Sequence, residues 1–237
     1  KYPGINEYYP KGHKYLTEFT ADPIPRLVYQ VGGVVLSKET LFSAEQSRLL
    51  IRYTLLDAHS PTTLRFKPFL AFRNVHALTH ANVAADTHYA KIENGIRMKL
   101  YPGYSSIHLQ FSKNAEYVHF PHWYYNIEYI EEIERGYEAH EDLFVPGYFE
   151  TGIKKGESVI FCASLEEENP VSFKRYFTTE VKGRTPRNSF HNCLVNSAQQ
   201  FIVKNGRKTE IIAGFPWFGR WGRDTFISLA GLTLSRG

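Results

Sequence analysis

From about Arg26 to Leu165, apolar and polar residues alternate with a period of two. Leu27, Tyr29 and Val31 alternate ahead of Gly32 and Gly33, which turn the chain into VVLSKETLF. Ile51, Tyr53 and Leu55 alternate next, followed by Leu64 with Phe66 and Leu70 with Phe72. Successive side chains on an extended backbone point to opposite faces, so this pattern predicts strands with one buried face, joined by short turns. Ile107, Leu109 and Phe111 continue it, and SVIFCASL at 158–165 reads as a more fully buried strand. Their number and spacing predict a mainly β fold, an antiparallel β-sandwich.

One helix is expected to interrupt the strands. From Trp123 to Tyr137 the apolar positions Trp123, Ile127, Ile130, Ile133 and Tyr137 recur at spacings of three and four, with Glu128, Glu131, Glu132 and Glu134 on the other side. Pro121 stands just before this run and Gly136 near its end, as a helix tolerates. The acidic side reads as a solvated face. After Gly183 the period changes: Leu194, Ser197, Ala198, Phe201 and Ile202 fit one helical stripe, Gly206 follows as a stop, and Thr209 to Ala213 is a short extended run. The organisation expected is a β-sandwich domain over 1–185, a linker helix over 186–208, and the start of a helical domain over 209–237.

Composition narrows the class. The chain has 237 residues, 43% of them hydrophobic and 15% aromatic, enough for a large core and biased toward strands. Lys and Arg are mixed with Asp and Glu at a net charge of +4, without the clustered cations that phosphate binding needs, so nucleic acid is not an expected partner. No stretch approaches the roughly 20 apolar residues of a membrane span. Two cysteines, Cys162 and Cys193, form no disulfide framework or metal spacing, and reduced thiols in a cytoplasmic setting are the simplest reading. A chain that starts at Lys1 and ends inside a helical pattern is expected to be part of a longer one.

Several clusters invite a chemical reading, and each has a plainer one. His76, His80 and His88 have helix-compatible spacing for a metal, but no Glu stands in the HExxH position, and polar histidines in a connection are favoured. His119 and His122 flank Pro121 and read the same way. Glu166, Glu167 and Glu168 end a strand as acid and base residues do, yet three adjacent carboxylates in a turn rarely reach the separation that glycoside hydrolysis uses; a solvated loop is favoured. GxSxG, P-loop, GxGxxG and CxxC signals are missing from the sequence.

The segment richest in chemistry is GFPWFGRWGRDT, Gly214 to Thr225. Trp217 and Trp221 offer flat apolar faces for the C–H side of a sugar or for a base. Arg223 and Asp224 set a donor fork beside an acceptor, which suits vicinal hydroxyl groups. Asp224 is also expected to cap the following helix, which carries Phe226, Ile227, Ala230, Gly231 and Leu234 on one face. The plainer alternative is a packed domain interface in which Arg223 forms a salt bridge and Asp224 only caps.

GFPWFGRWGRDTFISLAGL resembles the opening of the catalytic domain of bacterial and archaeal glycogen debranching enzymes of the amylo-α-1,6-glucosidase type. YLTEFTADPIPRLVYQVGGVVLSKE, LRFKPFLAFRNVHALTHAN and WYYNIEYIEEIERGYEAHEDLFVPGYFE resemble the same family, in its order. The resemblance implies a supersandwich similar to galactose mutarotase, followed by the first helices of an (α/α) toroid. It implies cleavage of α-1,6 branch points of glycogen-like α-glucans with no metal or organic cofactor. By the same resemblance Trp217, Trp221, Arg223 and Asp224 are substrate-binding residues. No residue of this chain takes the general acid or base role, so the chain by itself is expected to be inactive and to need the rest of the helical domain as its partner. The rival from another class is a non-catalytic carbohydrate-binding or scaffolding module.

Overall fold

The computed structural model describes residues 8–43, 46–205, 208–215 and 218–236. They form two compact units: Ile24–Thr179 with the residues before Ala21, and Glu180 onward with Ala21–Pro23.

The first unit is an antiparallel sandwich. Its larger sheet has eight strands in the order β1 (Leu16–Thr20), β2 (Arg26–Val31), β3 (Val34–Phe42), β4 (Arg48–Asp57), β11 (Ser158–Ser164), β8 (Ile107–Phe111), β7 (Gly95–Met98) and β6 (Tyr89–Ile92). Its smaller sheet has the order β5 (Thr62–Phe66), β10 (His140–Ile153), β9 (Glu116–Glu128). Hairpin chemistry explains the tight links. Gly32 and Gly33 both take positive φ, 54° and 80°, the geometry that joins two strands without splaying them, and Val31 faces Val34 across that turn.

Leu55, Ile96, Leu109, Phe111 and Val159 from the large sheet meet Phe149 and Ile153 from the small one in a single apolar cluster. The rings of Phe66, Phe111 and Phe149 pack at 4.9 to 5.0 Å between centroids, a spacing that contributes beyond the burial itself. A second cluster, Leu70, Met98, Leu100 and Phe144, fills one end. Around β4 the large sheet is covered on both faces. Leu50, out of phase with Leu55, has no accessible surface, and Arg52 on Leu50's side lies 4.3 Å over the Phe177 ring of α2 (Phe173–Lys182). The neighbouring Arg48 stacks 4.1 Å over Tyr176 and pairs with Glu168 at 2.9 Å.

The structure corrects several expectations. Trp123–Glu128 is not helical but the second half of the thirteen-residue strand β9; only Ile130–Glu134 forms a short helix, α1. The i, i+3, i+4 pattern there is produced by aromatic and β-branched residues that fit a pleated strand better than a helix, and pairing with β10 decides the matter. Pro121 is tolerated because β9 is an edge strand. Phe72 is not in a strand, and Leu70 makes only an isolated bridge to Phe144. Glu168 is tied down rather than solvated: besides Arg48, its backbone N–H donates to Gln110 Oε1 at 2.9 Å. The sequence reading placed no element at α2.

The second unit holds α3 (Phe190–Phe201), a three-stranded sheet of β12 (Ile202–Asn205), β13 (Lys208–Gly214) and β14 (Phe218–Arg220), and α4 (Gly222–Leu232). Ser189 caps α3, its Oγ accepting from the Asn192 N–H at 3.1 Å. The expected stripe Leu194, Ser197, Ala198, Phe201 lies on α3, and Ile202 already begins β12. The expected extended run Thr209–Ala213 is within β13. Gly206 lies outside the described residues. Among the described residues no helix is long and apolar enough to cross a membrane.

Candidate functional site

The described residues of Gly214–Thr225 fall mostly in a strand pair and a helix start rather than in a loop. Gly214 faces Phe218 across β13 and β14. A Cβ at Gly214 would come within 2.8 Å of the Phe218 ring, so the glycine makes room for the aromatic side chain. Ile212 faces Arg220, whose guanidinium pairs with Glu210 at 2.6 Å. That ion pair has no signature in the sequence, because strand register brings its members together.

Trp221 follows β14 directly and occupies the N-cap position of α4 with extended backbone and no side-chain cap. Asp224 is therefore not the cap expected of it. It lies in the first turn, where its carboxylate faces the positive end of the helix dipole. The helix starts three residues early because Gly222, Arg223 and Asp224 can all enter a first turn, and Thr225 anchors it by donating from N–H and hydroxyl to the Trp221 carbonyl, at 3.0 and 2.9 Å.

Trp221 is 57% exposed and Phe218 59%, so the aromatic faces are open to a ligand. The Arg223 side chain is 78% exposed and its Nε stands 3.7 Å from Asp224 Oδ2, too long for a firm hydrogen bond. That Oδ2 is itself out of contact with solvent and has no hydrogen-bond partner among the described residues. An exposed donor fork beside a carboxylate whose side chain is 34% exposed can take up a pair of adjacent hydroxyl groups. Trp217 lies outside the described residues. A cleft of about 460 Å³ runs between β13 and α4, lined by Ile202, Glu210, Arg220, Thr225 and Leu229 among others, but Trp221, Arg223 and Asp224 do not line it.

His76, His80 and His88 are in irregular segments and His119 and His122 in β9, rather than on a helix. His80 pairs with Glu138 at 2.8 Å and His88 with Asp86 at 2.6 Å, both exposed. Among the described residues no three His, Cys, Asp or Glu side chains gather as a metal site would require. In the first unit, Glu141 is fully buried and accepts from Arg73, Tyr129 and the Thr79 N–H, holding the 67–88 connection against β10.

Residues 1–160 match the family model described as glycogen debranching enzyme N terminal, and residues 196–237 match the one described as amylo-alpha-1,6-glucosidase. An antiparallel sandwich joined to a second unit, with these two matches in this order, defines a glycoside hydrolase acting on glucan branches. The chain belongs to the glycogen debranching enzyme family, whose reaction is hydrolysis of α-1,6-glucosidic branch points. Among curated proteins none matches it.

Proposed function

We propose that the start of α4 forms one wall of the subsite that holds the terminal glucose of an α-1,6 branch on a glycogen-like α-glucan. Asp224 accepts from two adjacent hydroxyls, Arg223 donates to one of them, and Trp221 with Trp217 covers the apolar face of the ring. The observation that carries this is the partly exposed Asp224 carboxylate beside the exposed Arg223 fork. These residues position the sugar rather than react with it. Inverting hydrolysis needs one carboxylic acid and one carboxylate set about 6.5 to 9.5 Å apart, and Asp224 is the one carboxylate between Ile211 and Gly237. Acid and base come from elsewhere in the helical catalytic domain, for which α4 is the first helix of a toroid. The sandwich is of the galactose-mutarotase supersandwich type, and α3 is the helix that links it to the catalytic domain. No metal or organic cofactor takes part. The free thiols Cys162 and Cys193 fit a cytoplasmic protein.

Asp224→Asn in the gene product that carries this chain tests the reading. Glucose release from an isomaltose-type branch should fall by roughly 10²-fold, the scale of a mispositioned substrate, while the melting temperature holds. A collapse in melting temperature with normal specific activity in the folded fraction would make Asp224 a structural residue and sink the subsite.

A further inference from the structure

The sandwich carries a row of aromatic rings that the α4 site does not use. Phe120, His122 and Tyr124 are at alternating positions of β9, and Phe69 lies next to Leu70, which bridges to β10. Ring centroids follow one another at 5.2 Å from Phe120 to His122, 5.2 Å from His122 to Tyr124, and 4.5 Å from Tyr124 to Phe69. Phe120 is 62% exposed and Phe69 45%, so the row is open at both ends. Four adjoining rings left partly in water are costly unless something covers them.

The backbone fixes this row firmly. Phe120 and Pro121 share the place opposite Pro146, and Tyr125 and Asn126 share the place opposite Asp142, so a bulge stands at each end of the 122–124 stretch. Asn126 takes φ 55° and its N–H donates to Asp142 at 2.8 Å. Bulges of this kind re-aim side chains. Trp123 points to the other side and packs edge-on against Phe144 at 5.4 Å, anchoring the strand in the core. Pro121 removes a donor from the sheet edge, which discourages another strand from adding there.

The row's chemistry selects among occupants. The exposed ring faces suit the apolar C–H side of a pyranose, with neighbouring rings tilted 45 to 56° to one another. Polar groups stand at the rim. The Phe120 carbonyl can only accept, so the His122 Nδ1 at 2.7 Å carries the proton, and Nε2 is left as an acceptor with no protein partner among the described residues. Lys67 donates to the Tyr124 hydroxyl at 3.3 Å. Lys67 is also the one cation that contacts place on the row, too little positive charge for a phosphate backbone. Lys67 and Phe69 also line a cleft of about 820 Å³ between the sheets, with Phe66, Phe72 and Tyr104 on its walls.

We propose that Phe69, Tyr124, His122 and Phe120 form a glucan-binding platform on the sandwich, in the other unit from the α4 site, that holds an unbranched run of glucose residues. The proposal rests on the glucan reading of the family for the identity of the sugar. Native electrophoresis of the chain through gels containing glycogen tests it. Wild type should be retarded, Phe120→Ala/Tyr124→Ala should bind roughly tenfold more weakly, and Tyr137→Ala, which removes an aromatic ring 69% exposed elsewhere on the same unit, should migrate as wild type. Unchanged retardation of the double variant, or no retardation of wild type, overturns the platform. So does retention of a thymidine oligonucleotide in place of glycogen. If the double variant does not fold, titration of wild type with maltoheptaose decides: the His122 imidazole resonances must shift, and their constancy overturns the proposal. Glucose release from a short branched oligosaccharide by the wild-type gene product reports on the enzyme reading alone, so the two failures are separable.

Discussion

Arg73→Ala should be among the most damaging single changes in the sandwich, although Arg73 is neither in the core nor in a strand. Its Nε donates to Glu141 Oε1 at 2.5 Å and its second terminal nitrogen to Oε2 at 3.3 Å, while Tyr129 donates to Oε2 at 2.5 Å and the Thr79 N–H to Oε1 at 3.2 Å. The Glu141 side chain has no accessible surface. Removing the guanidinium leaves a buried carboxylate with two of its four donors and no counter-charge, which costs about 3 to 5 kcal/mol. Because the Arg73 side chain is 24% exposed, the low end of that range, about 3 kcal/mol, is expected.

The pH dependence carries a sign. Burial alone would raise the Glu141 pKa, but the hydrogen bonds from Arg73, Tyr129 and Thr79 outweigh it and hold the carboxyl below its ordinary 4.5. A depressed folded pKa means stability that is present above pH 4.5 and lost as pH falls through the folded value. Urea unfolding followed by Trp123 fluorescence should therefore show the full wild-type to Arg73→Ala difference at neutral pH, and a shrinking one in acid below about 4.5. A loss under about 1 kcal/mol, or a difference that does not change with pH, would refute the assignment of Glu141 as an ionised, buried anchor.

The cysteines should separate cleanly in a thiol-labelling time course. Cys193 is exposed and should react at once, whereas Cys162 is fully buried, with burial pushing its thiol up to about 12, and should react only as the sandwich unfolds; two fast thiols would contradict the packing of β11. Gly147→Ala should lower stability by about 2 kcal/mol or more, because Gly147 takes φ 149° and an added Cβ would lie 2.1 Å from the Val118 carbonyl oxygen. A urea midpoint equal to wild type would mean that the bulge can move.

Much of the sandwich was legible because a half-buried strand writes its own period. Leu27 to Val31, Ile51 to Leu55 and Ile107 to Phe111 alternate in the sequence and lie in β2, β4 and β8. What the pattern does not contain is partner choice. Nothing in the residues of β4 and β11 says that Phe161 faces Ile51, and nothing near Arg73 points to Glu141, 68 positions away. At the α4 segment the residue types were legible and their local geometry less so. Asp224 has a capping side chain, but the strand pairing of Phe218 with Gly214 brings the chain into the helix at Gly222, and Trp221 takes the cap position instead.

The clearest misreading and the glucan platform share residues, and one physical cause accounts for both. A run of Trp123, Ile127 and Ile130 satisfies a helical spacing only if the intervening aromatics are ignored. Tyr124 and Tyr125 would then stand on the polar side of an amphipathic helix, where large rings gain little from burial. On a strand the same residues divide by parity: Trp123 goes inward to Phe144, while Tyr124 joins His122 and Phe120 on the other side. The outer face of an antiparallel sheet can stay solvated while the inner one packs, although Val145, opposite His122 on this outer face, has no accessible surface. Aromatic rings stand at three alternating outer positions, with Pro121 between two of them and a bulge at each end. The excess of aromatics over what the core consumes is thus the feature that points from sequence to surface. Mutating that row separates the two demands: loss of stability would assign the rings to the fold, and loss of glycogen retardation in a folded chain would assign them to the glucan.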